Sequence, residues 1–384
     1  MMYLIINAGS SSLKFKIFDG RLSGMGVGLV ERIGLKNSFL DWKIGDRAGR
    51  IDWPAGMPDH ERALVGVFGS IKEAGLDVSG VRAIGHRVVH GGEEFIAPVR
   101  MTSAVERKLV ALNRLAPLHN PANLAAYRAC RKLLPKAEHV ACFDTAFYRD
   151  LPDYAFTYSL PWDLYAKHGI RKYGFHGLSH EYVASEAARQ LKRPLSRLKL
   201  ITCHLGSGAS VTAVRHGRAT ETTMGFTPLE GLTMSTRCGD IDPAIPLYLI
   251  RELKMGEREV DDMLNRESGL LGISGFKDMR DVLSAAGTKI PGYALSGKVS
   301  AETKRRAKLA FEVFCYDVAR YIAQYAGIMG GCDAVVFTAG IGERSEPVRK
   351  RVMSMVTLPN RPKIMVIPTD EELMIARETR RVAG

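Results

Sequence analysis

The chain opens with an apolar run, Leu4–Ile6, that halts at Asn7-Ala8-Gly9 and crosses Ser10, Ser11 and Ser12. It resumes at Leu13, Phe15 and Ile17 with a period of two, the spacing of a half-buried strand. Leu4–Gly20 therefore reads as strand, turn, strand, with a turn rich in small hydroxyls and free backbone N–H groups that suit an anion. Continuous apolar runs at Ala83–Val89, His139–Phe143, Leu198–His204 and Ala334–Thr338 predict further buried strands. Helical spacing fills the intervals. Asp59 predicts a cap for a helix through about Gly75, and Ser103-Ala-Val-Glu106 has capping-box spacing ahead of Leu109, Leu112 and Leu115. Asn120-Pro121 and Asp242-Pro243 each set a cap residue before a proline at the first helical position. Strands alternating with helices predict an α/β fold.

The opening pattern has an echo. Leu198–Gly217 (LKLITCHLGSGASVTAVRHG) again runs strand, glycine turn with serine, strand. Two such hairpins suggest a duplicated fold in which each half presents a phosphate-binding turn. A shift to Pro- and Tyr-rich composition over Leu151–Gly169 marks the best boundary, and Gly287–Gly297 interrupts the helical region before Ser300. A length of 384 residues suits two domains.

Composition narrows the function. Hydrophobic content of 46% with 25% charged residues describes a globular chain. Apolar stretches such as Ala244–Ile250 are too short to span a bilayer. Met1–Ile6 lacks the basic start of a signal peptide, so a cytoplasmic address is expected. The six cysteines show no paired CxxC spacing and read as buried thiols. A net charge of +13 favours anionic partners. Basic residues are spread along the chain, and the densest cluster, Lys304–Lys308, reads as the solvated face of a helix, so small anions are expected rather than nucleic acid.

Several motifs carry candidate chemistry. Gly292–Ser300 nearly fits a phosphate loop, but Val299 stands where a hydroxyl must hold the metal ion. Gly24-Met-Gly26-Val-Gly28 has the wrong spacing for a dinucleotide turn. His86/His90 and His176/His180 are spaced HxxxH without the glutamate of a zinc protease. Arg87, in an apolar strand, needs an anionic partner. Asp144 follows a buried strand at the end where α/β clefts open, as a metal-binding or catalytic group or as a helix cap. Tyr173–His180, Thr227–Pro243 and Val335–Pro347 each bring polar or glycine-rich loops to element ends.

In this order, Asn7–Ser12, Gly85–Gly92, Phe143–Phe147, Tyr173–Gly177, His204–Gly208, Met234–Pro243, Phe337–Glu343 and Ile367–Leu373 resemble the motifs of acetate kinases over the whole chain. The resemblance implies duplicated actin-like, ribonuclease H-like domains with a nucleotide cleft between them. Expected units are 1–150, with the C-terminal helix 370–384 packing back, and 151–369. It implies acetate + ATP ⇌ acetyl phosphate + ADP by direct in-line attack, dependence on Mg²⁺ with Mn²⁺ as a substitute, and a homodimer without membrane or nucleic-acid partners. By the same resemblance, Asn7 and Glu371 hold the metal and Lys14 reaches the nucleotide phosphates. His204, Leu205, Gly206, Ser207 and Gly208 form the second phosphate turn. Asp278, Met279 and Arg280, with Gly340, Ile341, Gly342, Glu343 and Arg344, border the nucleotide. Arg87 binds the substrate carboxylate, and Val89, Leu118, Phe175 and Pro228 wall in its methyl group. Asp144, His176 and Arg237 are the catalytic set. In Thr369–Glu372, capping-box spacing assigns Glu372 to structure and leaves Glu371 free. Ser207, Arg344 and Tyr148 depart from the family pattern. The rival readings are a propionate or other short-chain acyl kinase and a non-catalytic nucleotide-binding module of the same fold.

Overall fold

The computed structural model describes residues 1–117 and 119–384. The alternating start of the chain folds as a hairpin: β1 (Met2–Ala8) pairs antiparallel with β2 (Ser12–Asp19), and Leu13, Phe15 and Ile17 are buried. The meander continues through β3 (Gly24–Glu31), β4 (Ser38–Ile44) and β5 (Arg47–Trp53). Apolar runs then supply β6 (Val81–Val88), the short β7 (Val99–Arg100) and β8 (Glu138–Phe143). These form one sheet in the order β5-β4-β3-β2-β1-β6-β8-β7, with β1, β6 and β8 parallel.

A second sheet holds β9 (Lys199–Leu205), β10 (Ala209–Arg215), β11 (Arg218–Thr222), β12 (Ala334–Thr338) and β13 (Lys363–Val366) in the order β11-β10-β9-β12-β13. Here β9, β12 and β13 are parallel and β10 and β11 antiparallel. The run β3-β2-β1-β6-β8 has the same sequence of directions, so each sheet repeats one plan: a hairpin meander joined to two parallel strands.

The chain divides into two compact units, Met1–Arg149 with Asp370–Gly384, and Asp150–Thr369. In the first, the C-terminal helix Glu371–Ala383 packs on β1, β6 and β8 through Met374, Ile375, Ala376 and Thr379. In the second, the 29-residue helix Ala301–Met329 buries Ala310, Phe314, Val318 and Ile322, and contacts β9 and β10. Its start is capped by Ser300, and Lys304, Arg305 and Lys308 are exposed.

Four capping assignments shift. Thr102, not Ser103, caps the helix Ser103–Ala111, because Glu106 is taken by Arg128 and Arg131 instead of closing a box. Asn120 does not cap the helix Asn120–Leu133; its amide bonds the backbone N–H and C=O of His90. Asp242 accepts from Ala244 N in a turn before the helix Ala244–Arg251, which starts after the proline. At the C-terminal helix Asp370 is the cap, accepting from Leu373 N, while Glu372 pairs with Lys14.

Candidate active site

In the first unit three parallel strands bring their carboxyl ends to one edge, the position where α/β sheets open sites. Asn7 is the penultimate residue of β1, Arg87 lies near the end of β6 and Asp144 just beyond β8. The Arg87 guanidinium grips Asp144 at two points and donates from Nη1 to Asn7 Oδ1 at 3.1 Å. Asp144 is buried, and its own N–H bonds Val88 O. Glu371, in the first turn of the C-terminal helix, has Oε2 3.9 Å from Arg87 Nη1. Burial opposes the charge on Arg87, but Asp144 and Glu371 outweigh it and hold the guanidinium firmly cationic. Glu371 feels the reverse balance. Burial, with Asp144 and Glu372 adding, pushes its carboxyl up to about 6 against the pull of Arg87 and Lys14.

Two asparagines that the sequence reading did not assign to the site hold this edge in place. Asn123 donates to Ala8 O at 2.7 Å and accepts from Val89 N at 3.1 Å, tying the end of β1 to the residue after β6. Asn120 clasps His90 alone, accepting from its N–H and donating to its carbonyl. The Asn-Pro-Ala-Asn spacing that carries both was legible only as a helix start. Lys14 is half exposed, with Nζ 2.8 Å from Glu372. Val89 is buried. Leu118 lies outside the described residues.

The second unit carries a different arrangement. His176, at φ 58, precedes the helix Gly177–Leu191, and Ala339, at φ 63, opens the short helix Ala339–Arg344. Left-handed backbone costs roughly 1 kcal/mol or more at a residue with a side chain, and such strain gathers at functional positions. Between β9 and β10 the turn Gly206–Gly208 is closed by Gly206 N donating to Gly208 O. A Cβ on Gly208 would stand 3.3 Å from His176 Nε2 and 3.5 Å from Arg237 Nη1. A Cβ on Gly206 would stand 3.7 Å from Ala339 Cβ. Turn, imidazole, guanidinium and helix start are therefore neighbours. The His176 ring stacks on His204, centroids 4.2 Å apart.

Arg237 is the electrostatic opposite of Arg87. Its Nη1 reaches only Pro228 O at 3.3 Å and Met234 Sδ at 3.7 Å, and among the described residues it makes no ion pair. Burial pulls it below the ordinary arginine range. A half-buried cation without a counter-ion is a standing demand for an anion.

The remaining expected residues divide. Phe175 and Leu205 are buried, Ser207 and Arg344 exposed, and nothing lies within 4 Å of where a Gly340 Cβ would stand. Ile341 is half-buried, and Gly342 packs on Cys203 O and Phe337. Glu343 turns inward, accepting from Ala339 N at 2.8 Å and Thr369 N at 3.1 Å. Asp278 caps the helix Met279–Ala286 and grips Arg280, while Met279 is buried.

The sequence model of the acetokinase family matches residues 2–359. The chain belongs to the acetokinase family. It is 46% identical to an acetate kinase of Clostridium novyi, with 100% of this chain and 98% of that protein covered. Among solved structures it resembles the acetate kinase of Porphyromonas gingivalis (34% identity, TM-score 0.87, both chains covered completely). It also resembles a propionate kinase from Francisella tularensis (38% identity, TM-score 0.90, 99% of each chain). The two repeated sheets are thus those of the actin- and hexokinase-like ATPase fold. The acetokinase family are carboxyl-group phosphotransferases that use ATP and a divalent metal ion.

The oxygen donors of the first unit fit such an ion. Asn7, Asp144 and Glu371 offer hard oxygen donors, and burial, with Asp144 and Glu372 adding, raises the Glu371 carboxyl, an effect that a bound cation would offset. Among the described residues no three His, Cys, Asp or Glu side chains form a ready-made cage.

Proposed function

We propose that this chain catalyses reversible, Mg²⁺-dependent transfer of the γ-phosphoryl group of ATP to acetate, giving acetyl phosphate and ADP. The observation that carries the reading is the contrast between its two arginines: Arg87 is paired with Asp144, and Arg237 makes no ion pair among the described residues. Arg87 spends three of its five N–H groups on Asp144 and Asn7, which leaves two for a substrate carboxylate. Acetate, with a pKa of ~4–5, is ionised at neutral pH and needs no general base. Asp144 therefore orients Arg87 and the metal ligand sphere rather than moving a proton.

Val89, buried after β6, is the residue we assign to the acyl methyl group, and the family pattern gives Phe175 and Pro228 the same role. Arg237 and His176 direct donors at the equatorial oxygens of the phosphoryl group in flight, where charge spreads and stabilisation counts most. The turn Gly206–Gly208 and the helix start at Gly340 take nucleotide phosphates, and Lys14, paired with Glu372, is a further phosphate-binding cation in this reading. Asn7 and Glu371, with Asp144 orienting the ion or its waters, would hold a magnesium ion, which would neutralise phosphate charge. The units Met1–Arg149 with the C-terminal helix, and Asp150–Thr369, act as the two lobes. The enzyme works as a cytoplasmic homodimer with no nucleic-acid or membrane partner.

The likeness to a propionate kinase supports a second reading, a short-chain acyl kinase with a roomier pocket. One methylene discriminates by only ~1–3 kcal/mol, so both acids react to some extent. Hydroxylamine trapping of acyl phosphate, with acetate, propionate and butyrate compared side by side, separates the two. The highest kcat/KM for acetate supports the first reading, and a higher value for propionate replaces it with the second.

A further inference from the structure

His176 rests on a chain of polar groups behind it. Its Nδ1 lies 2.9 Å from Ser210 Oγ. That hydroxyl lies 2.8 Å from His180 Nε2, and His180 Nδ1 lies 2.7 Å from Thr202 Oγ1. Thr202 Oγ1 in turn donates to the Thr212 carbonyl at 3.4 Å. Ser210, His180 and Thr202 are fully buried.

Proton counting restricts how these bonds run. A hydroxyl has one proton, so Ser210 donates to one imidazole and must accept from the other. Burial, with His204 adding, keeps His180 well below its ordinary range, so it is neutral, with one N–H and one lone pair. When His176 is an imidazolium, its Nδ1–H must donate, and every other direction follows. Ser210 donates to His180 Nε2, His180 Nδ1–H donates to Thr202, and Thr202 donates to the Thr212 carbonyl. Each donor in that direction has an acceptor, and the chain ends on a backbone oxygen. The cationic Arg237 beside the ring opposes that charge. Arg237 borders the same glycine, and the stacked His204 is bonded through Ser179 Oγ to Thr369 Oγ1.

We propose that Ser210 and His180 are positioning residues that sustain the protonated form of His176 through a one-way hydrogen-bond chain ending on the Thr212 carbonyl. The value of that form to turnover rests on the phosphoryl-transfer reading above; the chain itself does not. His176 then offers a cationic Nε2–H on the side of Gly208, while the buried neutral His180 absorbs the polarity that the cation imposes.

Protein labelled with [¹⁵N]histidine tests this by NMR titration, with the His176 resonances assigned through His176→Gln. In the unsubstituted protein His180 is expected as the Nδ1–H tautomer; finding its proton on Nε2 while His176 is cationic would overturn the proposal. In Ser210→Ala the pH of half-protonation of His176 falls by about one pH unit or more, as loss of a charge-assisted bond implies. The alkaline limb of kcat moves down with it, while KM for ATP stays within about twofold. Ser210→Cys, a weaker acceptor that keeps the side chain's size, gives a smaller fall and serves if the alanine variant does not fold. His180→Gln, whose amide oxygen can accept from Ser210, restores most of the effect that His180→Leu removes. An unchanged His176 titration in the Ser210 and His180→Leu variants refutes the chain at any level of activity. A shifted titration in a protein that makes no acyl phosphate refutes the functional reading and leaves the chain standing.

Discussion

Arg87 and Asp144 meet as a two-point ion pair, with Nε 3.0 Å from Oδ1 and Nη2 2.6 Å from Oδ2. The parallel pairing of β6 with β8 puts both residues at one sheet edge and fixes the planar fork toward the carboxylate. Lysine in place of Arg87 keeps the charge but cannot hold Asp144 at two points and still present donors to a substrate. Arg87→Lys is expected to raise KM for acetate about tenfold or more with a smaller loss of kcat. Steady-state kinetics at varied acetate checks this, and an unchanged KM removes Arg87 from the carboxylate site.

Arg237 predicts a trade between activity and stability. A half-buried guanidinium with no ion pair among the described residues costs folding energy that a bound anion recovers. Arg237→Met is expected to lower kcat by about 10²-fold or more while leaving the thermal midpoint unchanged or raised. Kinetics and calorimetry on one preparation test both halves. Near-normal turnover would end the catalytic assignment, and a large fall in midpoint would show that the residue serves the fold.

Asn123 joins two strand ends whose backbone groups are buried around it. Alanine there leaves the Val89 N–H and the Ala8 carbonyl without that partner, at about 1–3 kcal/mol for each buried group. A lowered urea midpoint together with weaker acetate binding is expected, since the residues on either side carry Arg87 and Asn7. Loss of stability with unaltered kinetics would confine Asn123 to the fold.

Acid should weaken the first unit. Burial holds His90 and His139 near about 4, and drives His86, 3.0 Å from His139, well below its ordinary range. In the unfolded chain each titrates near about 6.5. Between those values the unfolded chain binds more protons, so stability is complete above about pH 6.5 and drains away as the pH falls toward 4. Up to about 3 kcal/mol is at stake for each of His90 and His139. Urea midpoints from pH 7.5 down to 5 should fall steadily, and a flat series would contradict the neutral pair.

The two hairpins and the buried parallel strands were legible because their hydrophobic periods are strong: Ala334–Thr338 is a strand to the residue. β3 was hidden. Its alternating glycines read as a rejected nucleotide motif, yet Gly28 is there because a Cβ would strike Phe15, 2.6 Å from its Cζ, across β2. Capping failed wherever several polar residues compete locally. At Thr369–Glu372 three side chains can satisfy the helix start, and only the tertiary pairing of Glu372 with Lys14 leaves the cap to Asp370. The motif residues were readable as types of chemistry, but their partners were not. That Arg87 is paired with Asp144 while Arg237 makes no ion pair among the described residues depends on which strands become neighbours, as does the Ser210–His180 chain behind His176.

The central claim is that a carboxylate, not water, receives the phosphoryl group. Phosphorus NMR of the purified protein with ATP, Mg²⁺ and acetate follows that fate directly. ADP and an acyl phosphate resonance are expected to grow together, dependent on acetate; inorganic phosphate as the only new phosphorus product besides ADP, or ATP left intact, would rule out carboxylate as the acceptor.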